Sequence, residues 1–361
     1  MNSKQKKISL KVSEWLRSPG PDGDIVLSSR VRLARNLRDI PFPYLASDSQ
    51  SAAVLKKVRA MVPALAAAYG PLKIFTMDEL DSLERQVLVE KHLISPALAN
   101  NQQHNSAVLL RDDEVISIMV NEEDHLRIQC LLPGLQLERA LQLAGDYDDL
   151  LEEKLDYAFD EQWGYLTVCP TNVGTGLRAS VMMHLPALML TKQANRILQA
   201  IAQVGLAVRG IYGEGSEIKG NLVQISNQIT LGQSGEEIVR NLYGVAKQVV
   251  EQETQARQIL LNEGRDRIAD RVNRSLGTLR YARLISSEEA MQLLSDVRLG
   301  VDLGLIEEVV GSILKELLLL HRPAYLQYLT GRNLDSFDRD RVRAKLIRLR
   351  LAGKHLHEEE E

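Results

Sequence analysis

From about residue 235 onward the chain carries no strand signal: residues 236–276 form one helix-favouring, heavily charged stretch, and the helical pattern continues to about residue 350. That change of period divides the chain into unlike parts. Residues 25–235 mix short alternating runs, such as VISIMV (115–120) and GYLTVCPTN (164–172), with amphipathic helical stretches at 49–68 and 185–204, an α+β pattern. With 361 residues, 45% of them hydrophobic, two domains are expected, 1–250 and 251–361. In the second, Ser286 is placed to cap a helix running through Leu294, with Glu289 three residues on.

Composition removes several classes of function. Lys plus Arg (44) nearly balance Asp plus Glu (48), so the net charge of -4 makes no global case for nucleic acid or an anionic membrane. No run approaches the roughly 18 apolar residues of a membrane span, and no signal-peptide core follows the lysines of the first fifteen residues, which points to a cytoplasmic chain. Cys130 and Cys169 are too few for a disulfide framework or a cysteine zinc site. The tail HLHEEEE reads as a solvated charge run.

Four segments concentrate polar residues where strands and loops would favour apolar ones. In SSRVRLARN (28–36) a strand puts Arg30 and Arg32 on one face and Val31 and Leu33 on the other, although a solvated strand face would look the same. In NEEDHLRIQ (121–129) adjacent acids suit a turn equally well as Mg²⁺, proton or cation chemistry, with Arg127 supplying opposite charge. CPTNVGTGLRASV (169–181) offers a two-glycine turn whose N–H groups suit an anion, and Arg178 is expected at the start of a helix carrying His184. RGIYGEGSE (209–217) holds Glu214 between glycines, as a lid or a plain surface loop would. There is no GxxxxGK[ST] loop, no HRD or DFG, and no GxGxxG after a strand, so a bound phosphate would have to be held by arginines.

Taken together, these segments and ISNQITLG (225–232) resemble, in order, the motifs of the ATP:guanido phosphotransferases, the family of arginine and creatine kinases. The resemblance implies an antiparallel sheet flanked by helices, with Ser28, Arg30, Arg32, Arg127, Arg178 and Arg209 lining ATP and His92 of EKHLIS near the adenine. It further implies that Glu123 and Glu214 grip the guanidinium, that Cys169 lies beside it, and that Glu122 helps hold Mg²⁺ through water.

Small-molecule members of that family carry a helical domain before the SSRVR-like motif, whereas here about 25 residues precede it and the helices follow. This order is similar to the McsB-type protein arginine kinases, which act on arginines of other proteins. In those kinases an RDxxRA element, here Arg339, Asp340, Arg343 and Ala344, binds phosphoarginine allosterically. Arg339 and Arg343 would share a helix face with Asp340 free between them, or the stretch is simply a solvated basic face. Implied partners are protein substrates with exposed arginines, the activator McsA, a CtsR-type repressor, the ClpC–ClpP protease and a second copy of the chain. A small-molecule phosphagen kinase and an inactive phosphoarginine-binding adaptor are the alternatives.

Overall fold

The computed structural model describes residues 7–101, 104–210 and 218–354. Among them the strands are β1 (Val26–Arg35), β2 (Leu72–Thr76), β3 (Ala107–Arg111), β4 (Ile116–Val120), β5 (Leu126–Pro133), β6 (Phe159–Asp160), β7 (Gly164–Tyr165), β8 (Leu177–His184), β9 (Leu206–Arg209) and β10 (Leu222–Asn227). Eight form one sheet in the order β2-β3-β4-β5-β1-β8-β10-β9, every neighbouring pair antiparallel, and β6 and β7 make a separate hairpin. The helices are α1 (Glu14–Arg17), α2 (Asp48–Tyr69), α3 (Ser82–Glu90), α4 (Pro96–Asn100), α5 (Leu137–Glu152), α6 (Pro186–Leu190), α7 (Ala194–Gln203), α8 (Gly235–Tyr281), α9 (Ser287–Asp302), α10 (Gly311–Leu320), α11 (Pro323–Thr330) and α12 (Ser336–Leu351). None is long and apolar enough to cross a membrane.

Strand alternation separates two cores. Val31, Leu33, Leu109, Ile118 and Ile128 face α2, α5 and the first half of α8. The alternate residues Val108, Leu110, Met119 and Leu131 face α3, α4 and the C-terminal helices. The helix expected at 49–68 is α2, begun by a capping box in which Ser47 and Gln50 satisfy each other's N–H groups. Ser286 caps α9 by accepting the N–H of Glu289, and that helix continues past Leu294 to Asp302.

The expected boundary at 250 falls inside α8, before its break at Gly264 (φ -154°, ψ 35°). Ahead of that break Leu242, Val249 and Ala256 pack in the first core, and beyond it Ile268, Val272 and Leu279 pack in the second. The C-terminal helices also close over the sheet's own second face. The N-terminal segment is strapped to them, with Tyr325 and Tyr328 hydroxyls donating to the carbonyls of Leu10 and Ile8.

Candidate active site

Residues directly opposite in an antiparallel pair point to the same face. Arg32 stands opposite Arg178 on β8 and Gln129 on β5, while Ala34, two residues along, stands opposite Arg127. Arg30 is opposite Ser180, and the row from Ser28 through Met182 and Gln224 ends at Arg209 on β9. The register therefore places Ser28, Arg30, Arg32, Arg127, Arg178 and Arg209 on one face of the sheet, the face opposite Val31 and Leu33. A motif search sees separate arginines; pairing makes them one surface.

That surface is electrostatically costly without an anion. Burial first, then Arg178 and Arg127, push the Arg30 guanidinium down to about 10. Arg32 is pushed well below its ordinary value by burial and by Arg30, Arg127 and Arg178, with Glu122 opposing the shift. Its Nε has no hydrogen-bond partner among the described residues. A cluster of like charges that includes the unused Arg32 donor is preorganised for a polyanion such as a nucleotide's phosphates.

The acids lie in the tight turn between β4 and β5, where Asn121 adopts φ 52° and donates to the carbonyls of Ser51 and Asn105 at 2.9 and 2.8 Å. Arg127 reaches back across this turn: Nη1 lies 2.8 Å from Glu122 Oε2, and Nη2 pairs with Glu123. Glu122 is buried and accepts from Ser95 Oγ at 2.5 Å, whereas Glu123 is 39% exposed at the rim. The third acid is structural. Asp124 accepts from Asn36 Nδ2 at 2.7 Å and from the N–H of Val168 at 2.8 Å, and burial raises its pKa. His125 Nδ1 accepts the N–H of Leu37 and Nε2 donates to the carbonyl of Pro41. Asp124 thereby ties the glutamate turn to the residue before Cys169.

Cys169 is half-buried and its Sγ lies 3.0 Å from Thr171 Oγ1. Two expectations for its segment are corrected. Residues 177–184 form strand β8 and not a helix, because their alternate side chains must serve both sheet faces. The glycine N–H groups do not face an anion: Gly174 donates to Tyr165 and Gly176 to Asn172. The glycines are there for close approach, since a Cβ on Gly174 (φ 110°) would come within 2.8 Å of the Thr230 carbonyl oxygen, and one on Gly176 (φ 66°) within 2.6 Å of that of Ala34. Glu214 lies outside the described residues.

Beyond Arg30 the same face opens into a cavity lined by Ser28, His92, Trp15, Leu131, Ser180, Met182 and Gln224. His92, held at φ 60° by the end of α3, stands edge-on to Trp15 with ring centroids 5.7 Å apart. Burial, with Arg30 and Arg322 nearby, pushes its pKa down to about 3, so the imidazole is neutral at pH 7. Trp15 and Gln224 were not identified from the sequence, since each reaches the cavity only through tertiary packing.

In the C-terminal element Arg339 is half-buried, but Arg343 is 1% exposed and Ala344 is fully buried. Arg343 donates to the carbonyls of His321 and Ile285, each at 2.8 Å, and pairs with Asp340. The expectation of a free Asp340 between two open guanidiniums is thus corrected: the acid pairs with one guanidinium, which itself holds carbonyls ahead of α9 and α11.

The fold resembles a duplicated taurocyamine kinase from Schistosoma mansoni solved with transition state analog components (TM-score 0.59, 23% identity, 71% of this chain and 37% of that one). It also resembles a lombricine kinase (TM-score 0.57, 23% identity, 70% and 72%). The shared fold is that of the guanidino kinases. A family model described as ATP:guanido phosphotransferase, C-terminal catalytic domain, matches residues 53–256, and one described as protein-arginine kinase McsB C-terminal domain matches 265–361, the two meeting around the break at Gly264. Proteins named protein-arginine kinase from Brevibacillus brevis (57% identity, 94% of this chain and 95% of that one) and Halalkalibacterium halodurans (56%, 97% and 98%) align nearly end to end. The chain belongs to the ATP:guanido phosphotransferase family and, within it, to the protein-arginine kinases.

Proposed function

We propose that this chain transfers the γ-phosphoryl group of ATP to the guanidino group of arginine residues in proteins. The observation that carries the reading is the set of arginines from β1, β5, β8 and β9 on one sheet face, running into the turn that holds Glu122 and Glu123.

A guanidinium has a pKa above roughly 12 and is a poor nucleophile until it loses a proton. Glu123, exposed at the rim, is assigned as the base that takes that proton, with Glu214 orienting the guanidinium by charge-assisted hydrogen bonds. Cys169 is assigned beside the same group. Phosphoryl transfer has a loose transition state with charge spread over phosphate oxygens, which suits Arg30, Arg32, Arg127, Arg178 and Arg209.

Among the described residues no group of three or more His, Cys, Asp or Glu could hold a metal ion. The donor set instead fits Mg²⁺ carried by the nucleotide's phosphates, with the buried Glu122 carboxylate reached through water. Bound in that way, Mg²⁺ would neutralise phosphate charge. The proposal extends to a cytoplasmic homodimer that binds phosphoarginine at the element 339–344, answers to McsA, and marks substrates such as a CtsR-type repressor for ClpC–ClpP.

The test is mass spectrometry, under non-acidic conditions that preserve phosphoramidates, of an arginine-containing protein and of free arginine after incubation with Mg-ATP. Phosphate on protein arginines and little on free arginine is expected. Transfer to free arginine alone would mean a phosphagen kinase, and transfer to neither an adaptor or a chain that needs its activator.

A further inference from the structure

Two segments bond the Cys169 loop, one through backbone hydrogen bonds and the other through a side-chain hydroxyl. The β6–β7 hairpin bonds the Cys169 loop through reciprocal hydrogen bonds between Tyr165 and Gly174. Residues 229–231 bond the same loop from the other side, the Thr230 hydroxyl lying 2.9 and 2.7 Å from the carbonyls of Thr171 and Val173. Asp160 accepts the N–H groups of Gln162 and Trp163, which fixes the hairpin tip. Arg35, paired with Asp148, lies over the Tyr165 ring with its guanidinium carbon 3.6 Å from the centroid.

This rigid frame holds large apolar side chains out in solvent: Ile229 is 57% exposed, Trp163 48%, Phe159 46% and Leu231 44%. Single exposed apolar residues are ordinary, but these lie on the two segments that are bonded to the Cys169 loop. Acids lie on the same or adjoining elements, with Glu123 on the turn tied to Val168, Asp160 and Glu161 in the hairpin, and Glu152 at 3.4 Å from the Tyr165 hydroxyl.

We propose that Phe159, Trp163, Ile229 and Leu231 form a docking rim for the polypeptide substrate, one that takes apolar side chains flanking the target arginine. This rests on the protein-substrate reading above. The charges match an arginine, and the apolar surface matches what surrounds an arginine in a segment that a folded protein would bury. The occupant is therefore an extended segment of an unfolded or partly unfolded protein. Burying on the order of 50 Å² of apolar surface changes affinity about tenfold, so one or two flanking side chains are enough to set a preference.

Two peptides test this, each with one arginine, one flanked by Leu and Val and the other by Ser and Gly. The expected result is kcat/KM about tenfold higher for the apolar-flanked peptide, through KM, and a preference that collapses in a Trp163→Ala/Leu231→Ser double variant. In that variant the KM for ATP and the rate on the Ser/Gly peptide should be unchanged, which also reports correct folding. As a second readout, Trp163 emission should shift to the blue when the apolar-flanked peptide with Lys for Arg is added. Equal rates on the two peptides, or a preference that survives the double variant, would overturn the rim while leaving protein phosphorylation intact. Phosphorylation of free arginine with neither peptide touched would remove both readings.

Discussion

Arg32 and Arg178 stand directly opposite each other on the neighbouring strands β1 and β8, two cations on one sheet face with Arg30 and Arg127 beside them. Such a pair opposes folding and favours an anion. Arg32→Met should raise the stability of the nucleotide-free chain by about 1 kcal/mol, roughly 2 °C in Tm, while ATP no longer stabilises the variant. Thermal melts with and without ATP check both halves; a variant that melts lower than wild type and still gains from ATP contradicts the assignment.

Glu123 is the exposed member of the acid pair held by Arg127. Glu123→Gln keeps shape and removes the base, so kcat should fall about 100-fold or more with the KM for ATP little changed. Steady-state kinetics on a protein substrate decide the matter, and near-normal turnover would move the base role elsewhere.

The two cysteines should separate cleanly under alkylation. Burial pushes the Cys130 thiol up to about 12, and the side chain is fully buried, whereas Cys169 is partly accessible. Iodoacetamide at pH 8 should label Cys169 and spare Cys130 in the folded chain, as read by peptide mapping. Loss of activity should track that single label.

Arg343 and Arg339 should behave differently despite their shared motif. Arg343→Ala removes a fully buried cation from two carbonyls and Asp340, and should cost about 3 kcal/mol in chemical denaturation. Arg339→Ala, at a half-buried position, should cost less than about 0.5 kcal/mol. A phosphoarginine effect lost in Arg339→Ala at unchanged stability would therefore report binding and not unfolding.

His321 carries a pH signature. Burial lowers its pKa to about 4, so the unfolded chain, with the ordinary value near 6.5, binds more protons between those values. Its stabilising contribution is complete above about pH 6.5 and is lost as the pH falls toward 4, amounting to about 2 kcal/mol at pH 5. Urea unfolding of wild type and His321→Gln at pH 7 and 5 should show the wild type losing more on acidification by that amount. Parallel losses would contradict the shift.

The α+β character, the helical C-terminal part and the glutamate and arginine motifs were legible because strand alternation, helix-favouring composition and local spacing are properties of contiguous residues. Asp124 shows the limit of such reading. It sits among acids in a motif that looks chemical, yet it serves as a brace, because its partners Asn36 and Val168 are far away in the chain. The β8 segment shows the same limit, because its polar and apolar alternation has meaning only once β1 and β10 lie on either side.

By itself the sequence determined the kinds of element, the family motifs and the fact that arginines must hold any phosphate here, since these follow from residue identity and short-range pattern. Tertiary structure alone decided that arginines from four strands share one face, that Trp15 and Gln224 close a cavity beside them, and that Arg343 is spent on carbonyls inside the helical part. The physical reason is register: a shift of one residue in any strand pairing would send its side chains to the opposite face, and only the packed core on the far side selects between the two.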